Sequence, residues 1–173
     1  TIDAGGNLAP GNSGISNLTF SNGVVINGNF QVEVDGGAND ADTAVISGNL
    51  DISNATLNVS ELVAADDDSY LIASYTGTLT GAVFASENGV PSGYDVVIDT
   101  ANKQILLDRQ DAPIITQGAG PVLVTMDEDG TPTAFSVSID ATDADLGETA
   151  TLNWTVSTAA GNGTAGLTTS TGG

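Results

Sequence analysis

The side chains able to do chemistry in this chain are almost all carboxylates. Asp and Glu supply 22 of its 173 residues, against one lysine (Lys103) and one arginine (Arg109), with no His and no Cys. Carboxylates in such numbers suit two kinds of chemistry. They ligate hard cations, since Ca²⁺ takes six to eight oxygens at about 2.3–2.6 Å. In pairs they act as acid and base in glycoside hydrolysis. The absent imidazole and thiol exclude Cys and His catalysis, disulfides and thiolate metal sites. Polysaccharide lyases rely on Lys, Arg or His, and here Lys103 and Arg109 fall in the closing strand and linker of the first part of the chain, where a structural role is expected. No nucleophile elbow, phosphate-binding glycine loop or HExxH word occurs, so no enzyme is expected.

The net charge of −20 excludes phosphate-backbone binding, which needs clustered Lys and Arg, and docking on anionic membranes. It also makes the folded chain repel itself, a cost that bound cations or salt relieve. No apolar run approaches the length of a membrane span, and no signal-peptide pattern opens the chain. Among local acid clusters, Asp40 and Asp42 offer calcium ligands at a chain corner. Asp66, Asp67 and Asp68 read as a solvated turn. Asn17, Asn54, Asn58, Asn153 and Asn162 begin N-x-S/T words, taken here as Ser/Thr-rich strands.

The elements that must position these acids are short strands. Val24, Ile26, Phe30, Val32 and Val34 alternate onto one face, with Gln31 and Glu33 on the other. Leu50 and Ile52, then Leu57 and Val59, repeat the pattern. Turn residues fall between them at Ser21–Gly23, Asn27–Asn29, Asp35–Gly37 and Ser47–Asn49, where Gly, Asn and Asp tolerate positive φ or bond their own backbone. No window has useful helical periodicity. Short strands at short, regular intervals fit the rungs of a β-solenoid, although a β-sandwich gives a similar pattern. Tyr70, Tyr75 and Tyr94 are not expected to cluster, so no aromatic platform for sugars is predicted.

The stretch Gly5-Gly6-Asn7-Leu8-Ala9-Pro10-Gly11-Asn12-Ser13 resembles the GGTLAPGNS motif of bacterial autotransporter passenger repeats. Later segments keep a similar order: Val32–Asp35, Asp42–Gly48, Thr56–Val59, Ser69–Ala73, Gly77–Phe84, then Val90–Tyr94 with Ile105–Leu107. The resemblance covers about residues 4–108 and implies a right-handed β-helix displayed on, or shed from, a bacterial surface. The chain is therefore expected to be all-β, with a solenoid over residues 1–108 and a linker at 109–113. An incomplete Ig/cadherin-like β-sandwich is expected over 114–173. The start of the sequence in mid-pattern and its end at Thr-Gly-Gly lead us to expect a piece of something longer.

In the second part, Val122 and Val124 alternate, as do Phe135, Val137 and Ile139, then Leu152, Trp154 and Val156. Trp154 on such a strand reads as a core residue. The words Val124–Pro132 and Ala141-Thr142-Asp143-Ala144-Asp145-Leu146-Gly147-Glu148 resemble a cadherin-like repeat. That resemblance implies calcium at a junction between domains. Glu128 matches the family's loop glutamate, Asp143 and Asp145 its D-A-D pair, and Asp108 and Asp111 stand for its linker acids. The functional expectation is a non-catalytic, extracellular or cell-surface structural and adhesive module with a calcium-stiffened domain junction. Two alternatives stay open: a filament subunit completed by strand exchange through unpaired edges, and a carbohydrate-binding or polysaccharide-processing β-helix. Expected partners are a second copy, or a cell-surface or glycan ligand, with no nucleic acid.

Overall fold

The computed structural model describes residues 1–11, 13–116, 139–145, 147–159, 161 and 166. It is all-β: among the described residues there is no α-helix, only a 3₁₀ turn at Thr149–Thr151. No helix of these residues is long and apolar enough to cross a membrane. The chain divides into two compact units, Thr1–Gln110 and Asp111–Gly173.

Among its described residues the first unit contains thirteen strands. In chain order they are β1 (Asn7–Leu8), β2 (Asn17–Phe20), β3 (Val24–Val25), β4 (Asn29–Asp35), β5 (Asp40–Ala41), β6 (Thr43–Ile46), β7 (Leu50–Asp51), β8 (Thr56–Val63), β9 (Ser69–Tyr75), β10 (Leu79–Thr80), β11 (Ser86–Asn88), β12 (Tyr94–Asp99) and β13 (Gln104–Arg109). They form three sheets. The first runs β1-β4-β8-β11, with β5 hooked back onto β4; the second runs β10-β7-β3; the third runs β12-β13-β9-β6-β2. Successive passes of the chain add strands to the three ladders in turn, and these additions are parallel.

Alternation explains why these segments become strands and what they bury. Phe30, Val32 and Val34 on β4 are buried, as are Leu57 and Val59 on the adjacent β8, while Gln31 on β4 stays exposed and Glu33 half-buried. In parallel register Phe30 lies beside Leu57 and Val32 beside Val59, so like packs on like from one pass to the next. Val24, Ile26, Leu50, Ile52, Ile72, Ile105 and Leu107 help complete one continuous hydrophobic core. Side-chain amides on the first sheet also stack: Asn29 Nδ2 donates to Asn7 Oδ1 at 2.9 Å, Asn58 Nδ2 to Asn29 Oδ1 at 3.3 Å, and Asn88 Nδ2 to Asn58 Oδ1 at 3.1 Å. These links join residues 22, 29 and 30 apart, which is the length of one pass. Corners stack just as closely. A Cβ on Gly48 would lie 2.5 Å from the Gly23 nitrogen, and one on Gly28 would overlap the Gly6 carbonyl oxygen; only glycine fits there.

Two antiparallel departures are not predicted by the sequence pattern. The Asp35–Asn39 turn folds β5 back on β4, pairing Val34 with Ala41. More consequentially, β12 and β13 form an antiparallel hairpin, and β13 pairs antiparallel with β9. A register shift between Ile105 and Leu106 accommodates β9, where the consecutive residues Ile72 and Ala73 are both buried.

The tyrosines also depart from the reading of the sequence. Tyr70 and Tyr94, from β9 and β12, pack with ring centroids 5.8 Å apart and are buried. Strands far apart in sequence bring them together, so they serve the core and no exposed platform forms from them.

In the second unit, β14 (Ile114–Ile115) pairs antiparallel with β15 (Ala141–Thr142). Thr116 extends this contact, its backbone N–H and its hydroxyl both donating to the Asp140 carbonyl. The expected strand positions Val122, Val124, Phe135 and Val137 lie outside the described residues. Leu152, Trp154 and Val156 belong to no strand among the described residues; Trp154 is half-buried and Val156 is 45% exposed.

Candidate metal-binding site

The site grows from the end of β15. Beyond Thr142 the chain bends through Asp143-Ala144-Asp145. Asp143 Oδ1 accepts the Asp145 N–H at 3.1 Å, a carboxylate bonding the backbone two residues on. The Thr149 hydroxyl holds the start of the bend from both sides. It accepts the Asp143 N–H at 2.8 Å and donates to the Asp143 carbonyl at 3.0 Å. Gly147 takes φ +83°, a left-handed conformation that turns the chain so that the Glu148 N–H donates to the Asp145 carbonyl at 3.2 Å. The short 3₁₀ turn comes next, with the Thr151 N–H and hydroxyl on the Glu148 carbonyl.

This local bonding gathers three acids. Ligand oxygens of Asp143, Asp145 and Glu148 all lie within 4.8 Å of one another. Asp145 is buried, only 5% exposed, and Asp143 and Glu148 are half-buried. The Asp111 backbone N–H donates to both Asp145 oxygens, at 3.1 and 3.0 Å, and so aims that carboxylate. Oxygens sharing one metal shell of radius 2.3–2.6 Å lie at most about 5 Å apart, so the spacing fits a single ion. Without one, two unit charges at this separation repel by on the order of 3 kcal/mol at an effective dielectric of 20. The cluster could therefore hold a metal ion.

Of the residues singled out in the sequence, Asp143 and Asp145 meet here, and Asp111 contributes through its backbone. Asp108 lies on β13 in the first unit, opposite Asp95 of β12 and Ser69 of β9. Glu128 falls outside the described residues. The third acid, Glu148, is one that the family words leave without a role. Its signal is the D-x-D-x-x-E spacing, which places it on the same side as the aspartates only because Gly147 reverses the chain.

The other acid clusters of the sequence are used internally. Asp42, expected as a calcium ligand at a corner, is buried; its Oδ1 accepts the Ser16 N–H at 2.8 Å and its Oδ2 the Glu33 N–H at 3.1 Å. Beside it, Glu33 Oε2 accepts the Gly14 N–H at 2.7 Å. These two carboxylates line a cleft of about 360 Å³ with Gln31, Asn58 and Ser60 and tie down the segment that precedes β2. Asp40 Oδ1 accepts the N–H of Ala41. The Asp66–Asp68 turn is more than a solvated loop. The Tyr70 hydroxyl accepts the Asp66 and Asp67 N–H groups, each at 3.0 Å, the Tyr94 hydroxyl donates to the Asp67 carbonyl, and Arg109 bonds the Asp66 carbonyl and the Asp68 carboxylate. Burial pushes the Tyr94 phenol up to about 12, with smaller contributions from Tyr70 and Asp66 and an opposing one from Arg109.

No protein-family model, curated protein or solved structure matches this chain.

Proposed function

We propose that the chain is a non-catalytic structural and adhesive module of a bacterial surface or secreted protein, with a right-handed β-solenoid as its first unit and an Ig/cadherin-like domain, binding calcium, as its second. The observation that carries the reading is the in-register parallel stacking of β1-β4-β8-β11, β3-β7-β10 and β2-β6-β9, with an aliphatic interior and an amide ladder outside. Such stacking makes a stiff rod in which each coil contacts only its neighbours, and this suits a stalk. The bacterial surface setting comes from the motif resemblance over residues 4–108. Calcium is favoured for Asp143, Asp145 and Glu148 over magnesium. Oxygens spread up to 4.8 Å suit a shell of 2.3–2.6 Å, whereas magnesium demands a tight octahedron at about 2.0–2.1 Å and keeps its waters.

Calorimetric titration of calcium into the chelator-treated chain, repeated with magnesium, tests this reading. One site lost in the Asp143→Ala, Asp145→Ala double variant is expected, with magnesium binding weakly. No heat with calcium, or equal heat in the variant, would remove the ion from the proposal. A first unit that fails to melt cooperatively would remove the stalk.

A further inference from the structure

We propose that the β12–β13 hairpin is a cap that closes the third sheet against a second copy of this chain, and that the chain's two cationic side chains clasp it in place. The proposal rests on the strand pairing alone and not on the calcium reading.

The third sheet is parallel from β2 through β6 to β9 and then changes sense, adding β13 and β12 antiparallel. Without the hairpin, β9 would present to solvent the kind of edge that β6 presents to β9. At the far side of the same sheet β2 is the last strand among the described residues, and its Leu18 is 37% exposed. The β2 edge of a second copy is thus the natural next parallel strand for β9. Such pairing is head-to-tail, uses different edges on the two partners, and does not close, so it propagates. The hairpin prevents it by occupying β9 from Ser69 to Ser74.

What holds the hairpin is unusual for this composition. Lys103 and Arg109 are the only lysine and arginine in a chain of net charge −20, and they stand at opposite ends of β13. Lys103 Nζ donates to the Gly77 carbonyl at 3.1 Å and sits 5.6 Å from the centre of the Tyr75 ring. Arg109 grips the Asp66–Asp68 turn, which the Tyr94 hydroxyl also reaches. The strand left outermost among the described residues, β12, carries Asp95, and a charge on an edge strand repels an equally acidic newcomer.

The test compares the full chain with its Tyr94→Phe, Lys103→Gln, Arg109→Gln variant by hydrogen exchange and sedimentation velocity, in 0.05 and 1 M NaCl. The contacts removed are largely exposed and individually weak, so amides of Tyr94–Arg109 should exchange about five- to tenfold faster while those of β4 and β8 keep their rates. In 1 M salt, which screens the net charge, the variant should form concentration-dependent oligomers with new protection at Asn17–Phe20, and the parent should stay monomeric. Unchanged hairpin exchange would overturn the clasp. Faster hairpin exchange with a strict monomer at every salt and protein concentration would overturn the cap. Lys103→Gln alone guards against general unfolding of the triple variant: a smaller acceleration confined to the hairpin supports the clasp, and none overturns it.

Discussion

Two acidic turns in this molecule have nearly the same composition and opposite fates. Asp66-Asp67-Asp68 sits between β8 and β9, where the chain's one arginine and two of its three tyrosines converge on it. Asp143, Asp145 and Glu148 gather in the second unit, where backbone N–H groups and the Thr149 hydroxyl shape the bend that carries the aspartates. A run of acids does not declare its role by itself. The first turn is held by Tyr70 nearby and by Tyr94 and Arg109, which the fold delivers from farther along the sequence. The second brings three carboxylates within 4.8 Å, an arrangement that a cation would stabilise.

The largest break in the comparison comes from the core beneath the first turn. Leu57 on β8 is fully buried, and β8 leads directly into Asp66–Asp68. Leu57→Asp would place an unpaired carboxylate in an aliphatic interior, at a cost of several kcal/mol or more. Small domains hold only about 5–15 kcal/mol in total. The expected outcome is loss of the cooperative far-UV circular dichroism melt of the first unit. Ile52→Asp, equally buried, should do the same. A melt like the parent's would overturn the inward placement of these residues.

Next in size is the response to calcium, which should touch the second turn alone. An ion that binds only the folded state adds RT ln(1 + [L]/Kd), about 2.7 kcal/mol at a hundredfold excess over Kd. The second unit should melt at a higher temperature with calcium than with chelator, and Asp143→Ala, Asp145→Ala should abolish the difference. A chain altered only at Asp66→Asn and Asp68→Asn should keep the full calcium response. If that variant loses it, the two turns do not act separately.

Much of the first unit is legible in its residues, because alternation and tight turns are local facts. Val24 through Val34, and Leu50 through Val59, lie inward in the structure as the alternation predicts. Where the stacking changes sense is not legible. Nothing in Gln104–Arg109 taken alone distinguishes an antiparallel partner for β9 from another parallel one. That choice depends on the short turn at Asp99–Lys103, where Asp99 accepts the N–H groups of Ala101 and Asn102 and Lys103 takes φ +60°. The same holds for the two turns. Asp66–Asp68 reads as solvated because Tyr94 and Arg109 are remote in sequence. Glu148 does not stand out in the sequence because its proximity to Asp143 depends on one left-handed glycine.

A smaller effect separates the turns by salt. Arg109 and Asp68 are 38% and 82% exposed, and exposed ion pairs contribute about 0–1 kcal/mol. Arg109→Gln should therefore lower the stability of the first unit by no more than about 1 kcal/mol in urea melts. The loss should shrink as salt is added, since screening already weakens the pair. Calcium should leave this difference unchanged. A loss of several kcal/mol, or one insensitive to salt, would mean that Arg109 acts through something other than its hold on Asp68.

An effect of similar size is the most specific to the first turn. Tyr94 donates its hydroxyl hydrogen to the Asp67 carbonyl, and burial raises its phenol from 10.0 to about 12. The folded chain therefore keeps this proton at a pH where the unfolded chain has begun to lose it. Between those values the native state binds more protons than the unfolded one, so stability falls as pH rises. The contribution is fully present below about pH 10 and is lost progressively from about pH 10 to 12. Tyr94→Phe removes the ionising group and the hydrogen bond together. At neutral pH it should cost about 0.5–1.5 kcal/mol for the bond. Above about pH 10 the gap between variant and parent should narrow, because the parent must now ionise or resist ionising a phenol that the variant lacks. Tyr75, whose phenol burial also raises, remains in both chains and cancels in the comparison. A constant gap from about pH 7 to 11.5 would mean that Tyr94 ionises as freely folded as unfolded, and that its hydroxyl does not secure the Asp66–Asp68 turn.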